Sequence, residues 1–265
     1  MPAIAFISDA HIGPTGFFKG IRRKLTEFAE PYLKEFAQHV AHTGRYNAVL
    51  QLGDLIEDES PERDRANFST GVRLLAACGV PAHHVIGNHD TARLSAGELL
   101  TLLNRPSHFY SFDVAGAHIV VLHTIQREGR IVLPEEQVTW LRDDLAGTSL
   151  PTLICSHHSF ADQDLQGNPW FEGAPNSCLV DNRGEVRAIL RDAGGVVAVV
   201  NGHLHWNHVD WHDGIPFITV QSAVENCDDA GTPAHAWGEI EITANQFTLR
   251  QFGNTPFEVN SAINL

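Results

Sequence analysis

Five short groups in this chain have side chains that hold hard or borderline metal ions. They are Asp9-Ala10-His11, Gly53-Asp54, Gly87-Asn88-His89-Asp90, His157-His158 and Gly202-His203-Leu204-His205. The donors are carboxylate, imidazole and one amide carbonyl, without thiolate. That set suits Mn, Fe, Co, Zn or Ni rather than Cu(I) or an iron–sulfur cluster. In extended backbone, residues i and i+2 point to the same side. Asp9 and His11 can therefore serve one ion, and His203 and His205 can share one ion or divide between two. A glycine before Asp54, Asn88 and His203 lets the chain turn off its strand and approach an ion closely.

Alone, each group has a plainer reading. Gly53-Asp54 is most simply a turn, and His157-His158 a surface or hydrogen-bonded pair. Their joint placement is what carries weight. Each follows a short apolar run: Ala3–Ser8, Asn47–Leu52, Val80–Ile86, Pro151–Ser156 and Val196–Val200. These runs read as buried strands, and ligands in α/β sheets bind beyond the carboxyl ends of the strands. Five polar groups at five strand ends converge on one edge.

The intervening segments supply the helices that such strands need. Helical spacing is visible from about Gly20 to His42 (Leu25, Phe28, Ala29, Leu33, Phe36, Ala37, Val40), over 61–78, 95–103, 134–145 and 183–192. Phe109–Val114 and His118–His123 form a hairpin turned at Ala115-Gly116. The chain then becomes β-rich from about residue 206. The irregular stretch Phe160–Asp181 is long for a loop, and long ordered loops are usually functional. With no repeat or linker, 1–265 reads as a single α/β domain with a sheet-on-sheet core and helices outside.

This set of residues resembles the calcineurin-like metallophosphoesterases, whose pattern is D-x-H, G-D, G-N-H-D/E, a histidine after a strand, and G-H-x-H. The match runs in order from Ala3 to about Gln221. It implies a four-layer α/β/β/α sandwich and two divalent ions (Mn, Fe or Zn) bridged by one aspartate. One ion would take Asp9, His11, Asp54 and His205; the other Asp54, Asn88, His157 and His203. His157 is preferred to His158 because it directly follows the strand. His89 would face the leaving group as general acid, with Asp90 orienting its ring. Many relatives carry an aspartate where this chain has Leu122-His123-Thr124, which leaves His123 beside the substrate.

Two ions about 3.5–4 Å apart clamp a phosphoryl group, and a water on such an ion has a pKa near 7, so hydroxide is available for in-line attack. The resemblance favours a phosphodiester or nucleotide-type substrate, a small-molecule phosphate ester. A nucleoside-diphosphate-sugar pyrophosphatase, a phosphomonoesterase and a non-catalytic scaffold are the alternatives.

Composition limits the partners. The formal charge is −14 over 265 residues, so the overall field repels nucleic acid and anionic membranes. A phosphate must be met locally, and Lys19, Arg22, Arg23 and Lys24, read as part of the first helix, are the nearest cations to the first metal motif. Arg22 and Arg23 are expected to contact the substrate. Sixteen histidines stand against one methionine; of these His39, His42, His83, His84, His118 and His235 read as structural or surface, and His208 and His212 as nearer the pocket. The four cysteines make no C-x-x-C pair and no disulfide framework. No run of about 18 apolar residues is present, and no secretory leader, which points to a cytoplasmic protein. The β-rich tail offers a face for a homo-oligomer.

Overall fold

The computed structural model describes residues 3–263. Two six-stranded mixed sheets lie face to face. The first runs, in spatial order, Phe257–Ala262, Gln246–Phe252, Trp237–Ile242, Ala3–Ile7, Ala48–Leu52 and Ala82–Val85. The second runs His208–His212, Ile215–Thr219, Val196–Asn201, Thr152–Ser156, Ala117–Val121 and Tyr110–Val114. The strands that precede the five polar groups are parallel within each sheet: Ala3–Ile7 with Ala48–Leu52 (Phe6 opposite Leu50), Ala48–Leu52 with Ala82–Val85, and Thr152–Ser156 with Val196–Asn201. Their carboxyl ends therefore lie on the same side of their sheet.

Alternate residues of the two sheets meet in one apolar layer, with Ile4, Phe6, Leu50 and Leu52 facing Ile119, Val121, Leu153, Cys155 and Val200. The opposite faces are covered by helices. On the first sheet lie α1 (Ala29–Thr43), α2 (Pro61–Ala76) and α3 (Ala96–Leu103), burying Leu33, Phe36, Val40, Phe68, Leu75 and Leu99. On the second lie α4 (Glu135–Ala146) and α5 (Arg183–Ala193), burying Val138, Leu141, Val186 and Leu190. The architecture is the four-layer α/β/β/α sandwich. Helix ends carry the expected signals: Ser60 caps α2 ahead of Pro61, Ser95 and Glu98 form a capping box on α3, and α1 stops at left-handed Gly44. The β-rich tail serves both sheets, since the last three strands lie beside Ala3–Ile7 and the two before them extend the second sheet.

One expected element is different. The first helix does not begin near Gly20. Gly16–Phe18 and Ile21–Lys24 form a small hairpin with Phe18 opposite Ile21. Lys19 and Gly20 both take positive φ, 51° and 80°, as a two-residue turn of the type that suits hairpin twist requires. α1 starts only at Ala29, where the apolar spacing of 33, 36, 37 and 40 takes hold. Gln246–Phe252 is followed by one further strand, Phe257–Ala262. No helix among the described residues is long and apolar enough to cross a membrane.

Candidate metal centre

Asp9, His11, Asp54, Asn88, His157, His203 and His205 come together beyond the carboxyl ends of the parallel strands. Backbone bonds tie their loops: Asp9 N donates to Gly53 O at 3.1 Å, and His11 N to Asp54 O at 3.1 Å. Asp9, His11, Asp54, His203 and His205 all hold positive φ, between 50° and 68°. Non-glycine residues rarely adopt this region, and such outliers gather where a site over-determines them. Three glycines make the necessary room. A Cβ on Gly53 would collide with the His157 ring, on Gly87 with the Asp54 carboxyl and backbone N, and on Gly202 with Ser8 and Asp9.

The histidine nitrogens are committed in a pattern. His157 Nδ1 donates to Leu52 O at 2.9 Å, and His203 Nε2 to Ser177 O at 3.0 Å. His205 Nδ1 donates to Glu225 Oε2 at 2.7 Å. His11 Nδ1 lies 2.9 Å from Glu57 Oε2, off the hydrogen-bond line. A carbonyl or carboxylate only accepts, so the bonded nitrogen must carry hydrogen and the other keeps its lone pair when the ring is neutral. Outer acceptors of this kind orient metal-binding histidines.

The free nitrogens face carboxylates. His205 Nε2 is 3.3 Å from Asp9 Oδ1 and 3.1 Å from His11 Nε2. His157 Nε2 is 3.2 Å from Asp54 Oδ2 and 3.1 Å from Asn88 Oδ1. Asp54 Oδ1 is taken by His89 N at 2.9 Å, whereas Oδ2 lies between the groups, 3.9 Å from His11 Nε2. Two compact donor sets result, Asp9–His11–His205 and Asp9–Asp54–His157, with His157, His158 and His203 forming a third overlapping cluster. Sets of carboxylate and lone-pair imidazole at these separations fit divalent cations.

The electrostatics divide the rings: burial pushes His11 and His203 down to about 4 and about 3, while His157 and His205 are raised. Burial works against protonated His157 and His205, yet Asp54 beside the one and Asp9 and Glu225 beside the other hold both up to about 9. Burial would raise Asp54, but His157, His89 and His11 together hold its carboxyl well below the usual range.

Around the reacting edge, the sequence reading needs correction in two places. Asp90 does not orient His89. Its Oδ1 accepts from the N–H groups of Leu55 and Ile56 at 2.9 and 3.3 Å, and its Oδ2 from Gly87 N at 2.8 Å, so it braces the Asp54 loop. The carboxylate on His89 Nδ1 is Asp58, at 2.8 Å. Arg22 pairs with exposed Glu27, and Arg23 with Asp229 and Glu225. Neither is among the residues lining the cleft, each being held by carboxylates; Lys24 does line it. His123, held by its backbone N to Gln137 at 2.9 Å, lines an adjoining cavity with Asn88, His89 and His158.

Residues missed by the sequence reading are Glu57, Asp58, Glu225, Ser177, Trp170 and Phe171. They lie outside the motifs, and only the long 160–181 stretch, which brings in the last three, carries a signal. The cavity over the donor sets, about 270 Å³, is lined by Lys24, Asp54, Asn88, His89, Trp170, Phe171, His203 and His205 among others.

Comparison with known proteins agrees with this geometry. The family model "Calcineurin-like phosphoesterase" matches residues 2–207. The chain belongs to this family of metal-dependent phosphoesterases. A probable cyclic nucleotide phosphodiesterase of Psychrobacter arcticus is 23% identical over 69% of this chain and 64% of its own length. A manganese-dependent ADP-ribose/CDP-alcohol diphosphatase of Danio rerio is 39% identical over a shorter stretch, 22% of this chain and 18% of its own length. The chain thus spans less than two thirds of either relative. Among solved structures, a dimetal phosphatase from Danio rerio superposes with a TM-score of 0.80, covering 99% of both chains at 18% identity, which shows a shared fold.

Proposed function

We propose that this protein hydrolyses a phosphodiester or nucleotide-type substrate with two divalent ions. The observation that carries the reading is the hydrogen bonding of three histidines, His157, His203 and His205, to outward acceptors, with Asp54 Oδ2 between His157 and His11. Asp9, His11, Asp54 and His205 would hold one ion, and Asp54, Asn88, His157 and His203 the other. When bound, the pair supplies an activated water and neutralises charge on the phosphoryl group. The chain's own contribution is to hold that group beside His89. His89 Nδ1 is fixed by Asp58, so Nε2 is the nitrogen presented to the cleft for proton transfer to the departing oxygen. Trp170 and Phe171 wall the cavity and keep water from one side.

Diphosphate esters are the second reading, favoured by the local 39% identity to the diphosphatase. The metals are Mn, Fe or Zn, and the substrate a small molecule; the charge of −14 argues against a polyanionic polymer. The test is hydrolysis of bis-p-nitrophenyl phosphate, p-nitrophenyl phosphate, cyclic AMP and ADP-ribose, each with Mn²⁺, alongside elemental analysis. The expected result is about two ions per chain and chelator-sensitive turnover of diesters above the monoester. Turnover indifferent to chelator and added Mn²⁺, with no bound transition metal, would sink the proposal.

A further inference from the structure

The metal-binding motifs supply ligands, but none supplies a fixed positive charge for a phosphate oxygen that the ions do not reach. Among the residues lining the cavity over the donor sets, Lys24 is the one lysine or arginine. It is 4% exposed, an uncommon state for a lysine unless it is paired. Its ammonium is held at 2.5 Å from Glu57 Oε2 and 3.3 Å from His89 Nε2, and lies 5.3 Å from the centre of the Trp170 ring. The backbone is fixed as well, since Lys24 pairs across a β-bridge with Glu225, whose carboxylate holds both the His205 ring and Trp170 Nε1.

An ammonium has three N–H donors. Glu57 and His89 take two. We infer that the third serves the substrate: Lys24 forms a phosphate-anchoring subsite that grips a phosphate oxygen not held by the metals. The class of ligand is a phosphate oxyanion, either on the reacting phosphorus or on a second phosphoryl group. The same contact sets Lys24 against His89. In the resting site Nε2 accepts from Lys24; an oxygen that enters between them takes over the ammonium N–H and frees Nε2 to carry the proton, drawn from solvent, that its acid role needs. Glu57 holds the ammonium in place while lying against His11 Nδ1. This is a direct contact with substrate, which Arg22 and Arg23 do not make.

The inference rests on the hydrolase reading for its ligand, but its test does not require turnover. Inorganic phosphate binding to the metal-loaded protein is measured by calorimetry for wild type, Lys24→Gln and Lys24→Arg, with metal content recorded for each. Glutamine keeps an N–H donor for Glu57 and removes the charge. A charge-assisted hydrogen bond lost in this way weakens binding by about ten- to a hundredfold. The expected result is that loss in Lys24→Gln with metal content unchanged, and recovery of most of the affinity in Lys24→Arg. Unchanged phosphate affinity in Lys24→Gln would overturn the inference. A fall in bound metal that accounts for the weaker binding would also overturn it, making Lys24 a support of the Glu57–His11 pair instead. Should Lys24→Gln fail to fold, zinc-loaded wild type labelled with [¹⁵N]lysine carries the test. The Lys24 Nζ resonance should shift on adding phosphate, and an unmoved resonance at saturation would refute the contact. Absence of any metal-dependent hydrolysis in wild type would instead refute the proposed function, leaving phosphate binding to decide the subsite.

Discussion

His89 Nδ1 lies 2.8 Å from Asp58 Oδ1, a partner 31 residues earlier in the chain, while the neighbouring Asp90 turns inward to the Asp54 loop. The ring is thereby presented through Nε2, and general acid help of this kind is worth about 10²–10⁴-fold. His89→Ala is expected to keep both metals and to lose far more rate on an alkyl or nucleotide ester than on a p-nitrophenyl ester, whose leaving group departs without a proton. Asp58→Asn should show the same selectivity with a smaller loss, about tenfold. Metal content and the two rates decide it: lost metal would make His89 a ligand, and equal rate losses would remove its acid role.

Asp54 and Asn88 provide a second contrast. Asp54 Oδ2 lies near both His157 and His11, whereas Asn88 Oδ1 lies near His157. Asp54→Ala should therefore bind less metal than Asn88→Ala and show almost no turnover. Normal metal content in Asp54→Ala would exclude a bridging role.

The glycine before Asn88 is expected to matter through Asp54. A methyl group at position 87 would overlap the Asp54 carboxyl and its backbone N, and backbone cannot swing aside as a flexible side chain can. Overpacking costs about 1–3 kcal/mol, and here the strain falls on the shared ligand. Gly87→Ala should lower both the melting temperature and metal occupancy. Gly97→Ala, in helix α3 with open space around its Cβ position, should leave metal occupancy unchanged and raise the melting temperature slightly. Full metal loading in Gly87→Ala would show that the Asp54 loop can yield.

Buried strands announce themselves in this sequence as apolar runs, and a polar group directly after each run marks its carboxyl end. The parallel strands and the convergence of their polar ends are therefore legible from Asp9, Asp54, Asn88, His157 and His203 alone. Helix α1 is legible from Leu33, Phe36, Ala37 and Val40, but its start is not, because Leu25 and Phe28 continue the spacing while the Lys19-Gly20 turn folds the chain back. The outer acceptors are not legible. Glu57, Asp58 and Glu225 are ordinary surface-type residues in sequence, and nothing local distinguishes them from Glu59 or Asp228. Their role depends on which loop tertiary packing lays against a histidine ring. Asp90 misleads for the converse reason: adjacency in sequence suggests contact with His89, whereas successive side chains diverge.

A buried histidine at the opposite end of the second sheet gives stability a pH dependence of its own. His118, at the start of its strand beside Thr152, has Nδ1 2.6 Å from Asp113 Oδ1 and Nε2 2.9 Å from Asp144 Oδ2. Burial disfavours the charged ring, but the two carboxylates outweigh it and raise its pKa above the ordinary 6.5. The folded state thus holds this proton more tightly than the unfolded chain does. Its stabilising contribution is fully present below pH 6.5 and is lost as pH rises through the folded value. His118→Gln removes the charged pair and should cost about 1.5–3 kcal/mol at pH 5.5, the range for hydrogen bonds to charged groups. That cost should shrink steadily toward pH 9. Taking the difference between wild type and variant at each pH cancels the titration of the distant metal centre. Urea unfolding of both proteins from pH 5.5 to 9 measures it, and a difference that stays constant or grows with pH would mean that His118 is not charged in the folded protein.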